Sequence, residues 1–350
     1  MNCRILPAVV LACVLVVPGV LSASETRESA LARAQVWMAT DIPAMDIMNG
    51  PDREDGFSFQ EVVHCDYLDE ELGGMSPKFA CETSDADELK VKYGGDNGEV
   101  YGEVAASRLL WALGFGADHM YPVRIVCRGC PGLHGSILRV DGESRVFDPA
   151  SVERKMPGKE ISDYWAWPEL DGVDEEAGGA PLAHRDALKL LAVFLQHSDN
   201  KPEQQRLICL DKTDKDAKDA ECARPFMLVQ DVGLTFGRAT RSSNNNTTGM
   251  NLTGWSGTPV WMEGERCVGH LQKSLRGTLH QPGISEEGRA FLAGLLVQLT
   301  DRQIRDLFEV SRVTLRVRTP SDARSGFPTV DEWVAAFKAR RDQIVNRRCA

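Results

Sequence analysis

Residues 183–196 constrain the fold most, because they are apolar on nearly every face and lead directly into a run of polar side chains. A helix that is apolar all round must be buried. The polar run that follows is His197-Ser-Asp199-Asn200-Lys201-Pro-Glu203-Gln204. The pattern therefore predicts a buried helix whose end holds a carboxylate, Asp199, and an ammonium, Lys201, on one short turn.

The polar run resembles the catalytic loop of the protein-kinase-like superfamily, H-R-D-L-K-P-E-N, through its His, Asp, Lys, Pro and Glu. The resemblance is nearer to the atypical branches, which include lipid kinases, secretory-pathway kinases and bacterial kinase-like proteins. It implies that Asp199 is the catalytic base that orients an attacking hydroxyl and that Lys201 neutralises the transferring phosphoryl group. His197 would support the loop through packing and hydrogen bonds.

Asp231-Val-Gly233 follows a short apolar strand at residues 228–229 and resembles the metal-binding D-F-G motif of the same superfamily. The resemblance implies that Asp231 holds Mg²⁺ and that Gly233 permits the sharp turn after it. Kinases place a second metal ligand, Asn, where this chain has Gln204. Glutamine carries the same amide oxygen on a longer arm, and Asn200 is the alternative ligand nearby. This departure leaves an inactive pseudokinase open.

Two lysines, Lys90 and Lys92, share one face of a predicted strand. Lys92 is the preferred ligand of the α- and β-phosphates, because Lys92-Tyr-Gly-Gly-Asp resembles the corresponding segment of phosphatidylinositol kinases. Its expected ion-pair partner is Glu103, on the helix predicted at residues 99–113, and Glu99 is the second choice.

The segment Gly73-Gly74-Met-Ser76 lies between two predicted strands and is the candidate phosphate-covering loop. Its backbone N–H groups could bind phosphate oxygens, so Gly73, Gly74 and Ser76 are candidate nucleotide-binding residues. The chain has no G-x-G-x-x-G motif, and a plain hairpin turn is the alternative interpretation.

The order of the predicted elements indicates an α+β fold. Strands are predicted at 57–67, 77–83, 88–93, 120–127, 135–140 and 144–155, and helices at 28–39, 99–113, 183–196, 286–298, 300–309 and 329–346. The resemblance implies a two-lobed protein-kinase-like fold. Its small β-rich N-lobe with one helix would span residues 57–155, and its larger, mostly helical C-lobe residues 156–350. Residues 24–56 are expected to form an N-terminal extension.

Residues 1–23 have the pattern of a secretory signal peptide, with Arg4 before an apolar core and small residues before Ala23. The core is too short to span a bilayer comfortably, and no other segment approaches the required length. A lipoprotein box ending at Cys13 is the alternative, but it would cut the apolar core in half. The expected location is therefore secreted or periplasmic, with no membrane span after cleavage.

Eight cysteines follow the predicted signal peptide, and an even number in an exported chain indicates disulfides. Two favoured pairs each flank a predicted hairpin or loop. They are Cys65–Cys81 and Cys209–Cys222. The Cys127-Arg-Gly-Cys130 segment favours a structural disulfide over a redox pair or half of a zinc site.

The chain has 40 basic and 51 acidic side chains, and its net charge of −11 argues against nucleic-acid binding. The family resemblance implies phosphoryl transfer from Mg²⁺-ATP to a hydroxyl group of an unidentified protein or small molecule, with the nucleotide near residues 153–158. Three alternatives stay open. They are a nucleotide-binding or empty pseudokinase scaffold, a nucleotidyl transferase that moves AMP, and a disulfide-bonded extracytoplasmic binding protein.

Overall fold

The computed structural model describes residues 26–74, 76–130, 138–140, 144–213, 222–237, 249–264, 266–316 and 328–349. The predicted signal peptide lies outside these residues. The helices within them are α1 (Arg27–Ala32), α2 (Gly98–Ala112), α3 (Leu182–Leu195), α4 (Leu252–Gly257), α5 (Glu286–Leu296), α6 (Asp301–Val310) and α7 (Val330–Val345). The strands are β1 (Val62–Leu68), β2 (Lys78–Glu82), β3 (Glu88–Tyr93), β4 (His119–Arg128), β5 (Leu138–Val140), β6 (Ser144–Arg154), β7 (Lys159–Ser162), β8 (Gln205–Cys209) and β9 (Pro225–Val229).

Five strands form a closed sheet in the order β3-β2-β1-β4-β6, because β6 also pairs with β3. The strand β5 pairs with β6, outside this ring. The rings of Phe79, Tyr93 and Phe147 pack together in the apolar core of the sheet, with centroids 4.7 to 5.5 Å apart. Successive side chains of a strand point to opposite faces, so Lys90 and Lys92 of β3 lie on the face away from this core.

The helix α2 packs against that face and is buried along nearly its whole length. Asn97 begins it by accepting a hydrogen bond from the Glu99 amide at 3.2 Å. In its middle, a Cβ at Gly102 would lie 2.5 Å from the carbonyl oxygen of Gly233. Real Cβ atoms do not approach a backbone oxygen so closely, so glycine at this position allows α2 to contact the turn after Asp231.

A second sheet has the strand order β7-β8-β9. The sequence patterns did not predict β7 or β8. The strand β8 begins at Gln205, directly after the polar run, and β9 ends at Val229, just before Asp231. The two are antiparallel, with Gln205 opposite Val229. This pairing brings the polar run and Asp231 to the same edge of the small sheet.

The predicted helices of the C-terminal half are confirmed with small changes at their ends. The buried helix is α3, whose Leu188, Leu191 and Phe194 are all in the main apolar core. Both capping boxes are present, with Thr300 before α6 and Thr329 before α7. None of the helices among the described residues combines the length and apolarity needed to cross a membrane.

The helix predicted at residues 28–39 is wrong in its second half, because α1 ends at Ala32. Beyond it the chain is extended, and the Gln35 amide donates to the Pro225 carbonyl at 2.9 Å. The Met227 amide donates to the Gln35 carbonyl at 2.8 Å. This backbone pairing with β9 outweighs the helical pattern, and it attaches the N-terminal segment to the small sheet.

All eight cysteines of the described residues are paired. The disulfides are Cys65–Cys81, Cys127–Cys130, Cys209–Cys222 and Cys267–Cys349. The first three are the predicted pairs. The fourth joins residues 82 apart in sequence and ties the segment after α7 to the loop before α5.

Candidate active site

The ammonium of Lys92 on β3 lies among carboxylates from two other parts of the chain. Its Nζ donates to Glu99 Oε2 at 3.1 Å and to Asp231 Oδ1 at 2.9 Å, and it makes a short contact with Glu103. The Lys92 residue is only 2% exposed. The structure therefore brings Lys92, Glu103 and Asp231 together, and it places the second-choice partner, Glu99, in the same cluster.

The charges of this cluster control one another. Burial lowers the pKa of Lys92, but Glu103, Asp231 and Glu99 together raise it well above its usual value. Burial raises the pKa of Asp231, yet the Lys92 ammonium outweighs it and holds that pKa well below the usual range. Burial and the neighbouring carboxylates raise the pKa of Glu103, which Lys92 only partly opposes. Three carboxylates thus face a single ammonium, and this arrangement favours a further cation.

Gln204 connects this cluster to the polar run. Its Nε2 donates to Asp231 Oδ2 at 2.9 Å and to Asp199 Oδ2 at 3.1 Å. The Lys201 ammonium lies 3.0 Å from the same Asp199 oxygen. A continuous series of polar contacts thus runs from Lys92 through Asp231 and Gln204 to Asp199 and Lys201.

The two amides that were expected near the metal, Gln204 and Asn200, have hydrogen-bond partners within the protein. Gln204 was expected to offer its oxygen to a metal, but its nitrogen faces the carboxylates and holds them together. The oxygen of Asn200 accepts from the Thr278 and Leu279 amides, both at 2.8 Å. A carbonyl oxygen has two lone pairs, and these bonds use both. Asn200 therefore bridges the polar run to residues 278–279.

The backbone at Asp231 is unusual for a residue other than glycine. Its φ is 51°, in the left-handed region. Non-glycine residues adopt this region at an energetic cost, and such residues concentrate at functional sites. At the following turn, a Cβ on Gly233 would lie 2.7 Å from Cγ of Glu99. Glycine at this position therefore lets the turn pack directly on the acidic end of α2.

The carboxylates can also be compared with the requirements of Mg²⁺. One oxygen each from Glu99, Glu103 and Asp231 lies within 4.8 Å of the others. The second oxygen of Glu103 is buried and has no hydrogen-bond partner among the described residues. Mg²⁺ binds carboxylate oxygens together with waters and phosphates. The donor set therefore fits this ion.

The candidate phosphate-covering residues lie in the connection between β1 and β2. Gly73 accepts a hydrogen bond at 2.6 Å from Nζ of Lys78, and Gly74 has a φ of 91°. Ser76 lies two residues before β2. Lys78 is the residue that sequence reasoning missed, since only the pairing of β2 with β3 places it opposite Lys92. Lys90, the other lysine of β3, is paired with Glu153 at 2.9 Å instead.

The expected nucleoside region has a feature that the sequence did not indicate. The Met156 amide donates to Oδ1 of Asp118 at 2.8 Å, and Arg206 binds the same oxygen. Burial raises the pKa of Asp118 to about 6, although Arg206 opposes the change. The buried carboxylate holds the connection after β6 against β8, so Met156 N–H already has an internal acceptor.

His197 is buried beneath the polar run. Neither of its ring nitrogens has a hydrogen-bond partner among the described residues. Burial lowers the pKa of His197 to about 4, and Asp199 and Asp231 oppose this only partly. The imidazole is therefore neutral at pH 7. It supports the loop by packing and through its backbone carbonyl, which accepts a hydrogen bond from Asn200 Nδ2 at 2.8 Å.

We expect His197→Phe to remove part of the acid sensitivity of the fold. The unfolded imidazole binds a proton below its ordinary pKa near 6.5, whereas the folded one resists it down to about 4. The wild type should therefore lose stability as pH falls through this window, by about 2–3 kcal/mol more than the variant between pH 7 and 4.5. Urea unfolding at both pH values measures the difference. Other groups, including His119, titrate in both proteins and cancel, so parallel pH profiles would contradict the prediction.

Several solved structures resemble the chain, among them three kinases. The Helicobacter pylori proinflammatory kinase CtkA is 10% identical, covering 82% of this chain and 98% of its own, with a TM-score of 0.42. The Golgi casein kinase with Mn and ADP bound is 12% identical, covering 82% and 72%, with a TM-score of 0.34. The ROP18 kinase domain in complex with AMP-PNP and sucrose is 13% identical, covering 78% of each chain, with a TM-score of 0.21.

No protein-family model and no curated protein matches the chain. All three TM-scores are below 0.5, so these superpositions are loose.

Proposed function

We propose that this protein is an atypical kinase-like phosphotransferase that moves the γ-phosphoryl group of Mg²⁺-ATP to a hydroxyl group. The observation that carries the proposal is the series of polar contacts from Lys92 to Asp199. It joins the Lys92 ammonium on β3 and the Glu103 carboxylate on α2 to Asp231 and the polar run, although these segments lie far apart in sequence. An accidental match of short motifs would not require their side chains to meet.

The proposal includes a two-lobed layout. The closed sheet and α2 would form the small lobe, and the elements from β7 onward the larger one. The small lobe would contribute the Lys92 ammonium. The larger lobe would contribute the charged side chains of Asp199, Lys201 and Asp231. The triphosphate would lie between them, with its nucleoside near residues 153–158. Its acceptor is a protein or small-molecule hydroxyl.

Each polar side chain has a chemical task in this proposal. Lys92 would bind α- and β-phosphate oxygens, since its ammonium is held in place by Glu103. Asp199 would accept the proton of the attacking hydroxyl while the hydroxyl oxygen bonds to the γ-phosphorus, the bond from that phosphorus to the β–γ bridging oxygen breaks, and ADP leaves. Lys201 would stabilise the charge on the transferring group. Mg²⁺, held by Asp231, would neutralise the β- and γ-phosphates when bound.

We also propose that the protein acts outside the cytoplasm, in the periplasm or after secretion. Disulfides persist in oxidising compartments and are rare in reducing ones. The pairing of all eight cysteines among the described residues supports this location. The predicted signal peptide supports it independently.

Incubation with γ-labelled or α-labelled ATP and Mg²⁺ tests the reaction. The purified chain without residues 1–23 should transfer the γ label to itself or to an added extract, and Asp231→Asn should abolish the transfer. Chelation of divalent cations should have the same effect as the substitution, because phosphoryl transfer needs the metal to neutralise the phosphates.

The same experiment separates the alternatives. Transfer of the α label would identify a nucleotidyl transferase. Mg²⁺-ATP binding without transfer of either label would identify a pseudokinase. A chain that neither binds nor transfers would be an extracytoplasmic binding protein of another kind, and each of these results would overturn the proposed kinase activity.

A further inference from the structure

We propose that Lys78, at the start of β2, is a second phosphate-binding cation of this site and binds the phosphate chain on the side away from the nucleoside. The inference rests on the proposed function, because it names a further ligand of the same nucleotide. No sequence motif marks Lys78. The evidence is its position in the sheet, its contact with the Gly73–Gly74 connection and the absence of an ion pair to it within the described part of the chain.

The first observation is the strand register. Lys78 and Lys92 are directly opposite each other in the antiparallel pair of β2 and β3. Side chains directly opposite in such a pair project from the same face of the sheet, and like charges there are destabilising. A purely structural role would favour another residue at position 78. Two ammonium groups side by side are, however, well suited to a polyanion.

The second observation is the environment of the Lys78 ammonium. Its Nζ donates to the Gly73 carbonyl at 2.6 Å, and it forms no ion pair with a carboxylate of the described residues. Lys92, by contrast, contacts Glu99, Glu103 and Asp231. Burial lowers the pKa of Lys78 and the charge of Lys92 lowers it further, while the charges of Asp231 and Glu99 oppose the change only partly. A half-buried cation that is not engaged in an ion pair with a described residue is a ready partner for a phosphate oxygen.

The third observation concerns the loop itself. A Cβ at Gly74 would lie 2.6 Å from Nζ of Lys78, and Gly74 also has a positive φ of 91°. The connection therefore folds closely over the ammonium. When a phosphate binds, the ammonium exchanges a neutral carbonyl for a charged oxygen, and charge-assisted hydrogen bonds are the stronger kind.

The position across the sheet indicates which part of a nucleotide Lys78 would bind. Lys92 lies between Lys78 on β2 and Ser151 on β6. The strand β6 continues into residues 155–158, beside the proposed nucleoside position. Lys78 is on the opposite side of Lys92, so it should contact the β- and γ-phosphates and should not contact the nucleoside or the α-phosphate.

Calorimetric titration with Mg²⁺ and either ATP or AMP tests the proposal in the chain without residues 1–23. Loss of a charged hydrogen bond should weaken ATP binding by about ten- to a hundredfold in Lys78→Met, with AMP binding changed less than about threefold. Lys78→Gln keeps a donor for the Gly73 carbonyl but removes the charge. It should lose ATP affinity equally, which separates phosphate binding from anchoring of the loop. If Lys78→Met fails to fold, Lys78→Gln gives the same comparison.

Lys90→Met is the matched control, because Lys90 lies on the same face of the sheet but is neutralised by Glu153. It should leave ATP affinity within about threefold. Unchanged ATP affinity in Lys78→Gln, or an equal loss of ATP and AMP affinity in that variant, would overturn the proposed role of Lys78 but not the proposed function. A wild type that binds neither nucleotide would overturn the proposed function together with this inference.

Discussion

Replacement of Asp199 by alanine should lower the rate of phosphoryl transfer by about 10²- to 10⁴-fold, the usual contribution of a positioned general base. The carboxylate is held by Gln204 Nε2 at 3.1 Å and by Lys201 Nζ at 3.0 Å. Both partners contact the same oxygen, Oδ2, and so orient the carboxylate from one side. The affinity for Mg²⁺-ATP should change little, because Asp231 and Lys92 would still bind the nucleotide.

Single-turnover transfer of labelled phosphate measures the rate of the Asp199→Ala protein, and calorimetric titration with Mg²⁺-ATP measures its affinity. Glu203→Gln is the matched control, since Glu203 is on the same turn but its side chain is 54% exposed and pairs with Arg276. It should leave the rate within about threefold, as surface ion pairs contribute little. An Asp199→Ala protein that transfers phosphate at the wild-type rate would remove Asp199 from the mechanism.

Replacement of Lys92 by methionine should destabilise the fold by about 3 kcal/mol, the lower end of the cost of breaking a buried ion pair. The lower end applies because the Asp231 side chain is 44% exposed and water can screen its charge. The variant leaves Glu99, Glu103 and Asp231 within 4.8 Å of one another without their cation. Urea unfolding measures the loss, and Lys90→Met, whose side chain is 40% exposed, is the control with a small expected effect.

The pH dependence of the Lys92→Met protein gives a second test of the same cluster. Without the ammonium, burial and mutual repulsion should raise the folded-state pKa of Asp231 above its unfolded value and raise the already elevated pKa of Glu103 further. A carboxyl group whose pKa is raised by folding stabilises the fold fully at pH values below its pKa in the unfolded chain. This stabilisation is lost as the pH rises through its pKa in the folded protein. The stability deficit should therefore be larger at pH 8 than at pH 5. Millimolar Mg²⁺ should reduce it at pH 8, and a deficit independent of both pH and Mg²⁺ would contradict the proposed charge balance.

Local patterns predicted most of the elements because each has a signal within a few residues. The all-round apolar helix at 183–196 became α3, and the boxes at Thr300 and Thr329 begin α6 and α7. The strand β8 was missed because Gln205 and Arg206 are polar, although both are buried. Its pairing with β9 decides its structure, and pairing between distant segments leaves no local pattern.

The site residues also divide into those that local motifs indicate and contacts that only packing between distant segments decides. Short motifs marked Lys92, Asp199, Lys201 and Asp231 as candidates, but they left two choices of ion-pair partner and two choices of amide ligand. The structure places both Glu99 and Glu103 at Lys92. It turns the Asn200 oxygen toward Thr278 and Leu279, a contact 78 residues away that no motif indicates.

The sequence by itself determined which side chains carry charge, which segments must be buried and which cysteines are near enough along the chain to pair. These properties depend on residue type and on spacing within a turn of helix or a hairpin. Only the tertiary structure decided that Lys78 lies opposite Lys92 and that Gln204 joins Asp199 to Asp231. The physical reason is that strand register and the approach of α2 to Gly233 arise from packing between distant segments, whose free energy no single segment contains.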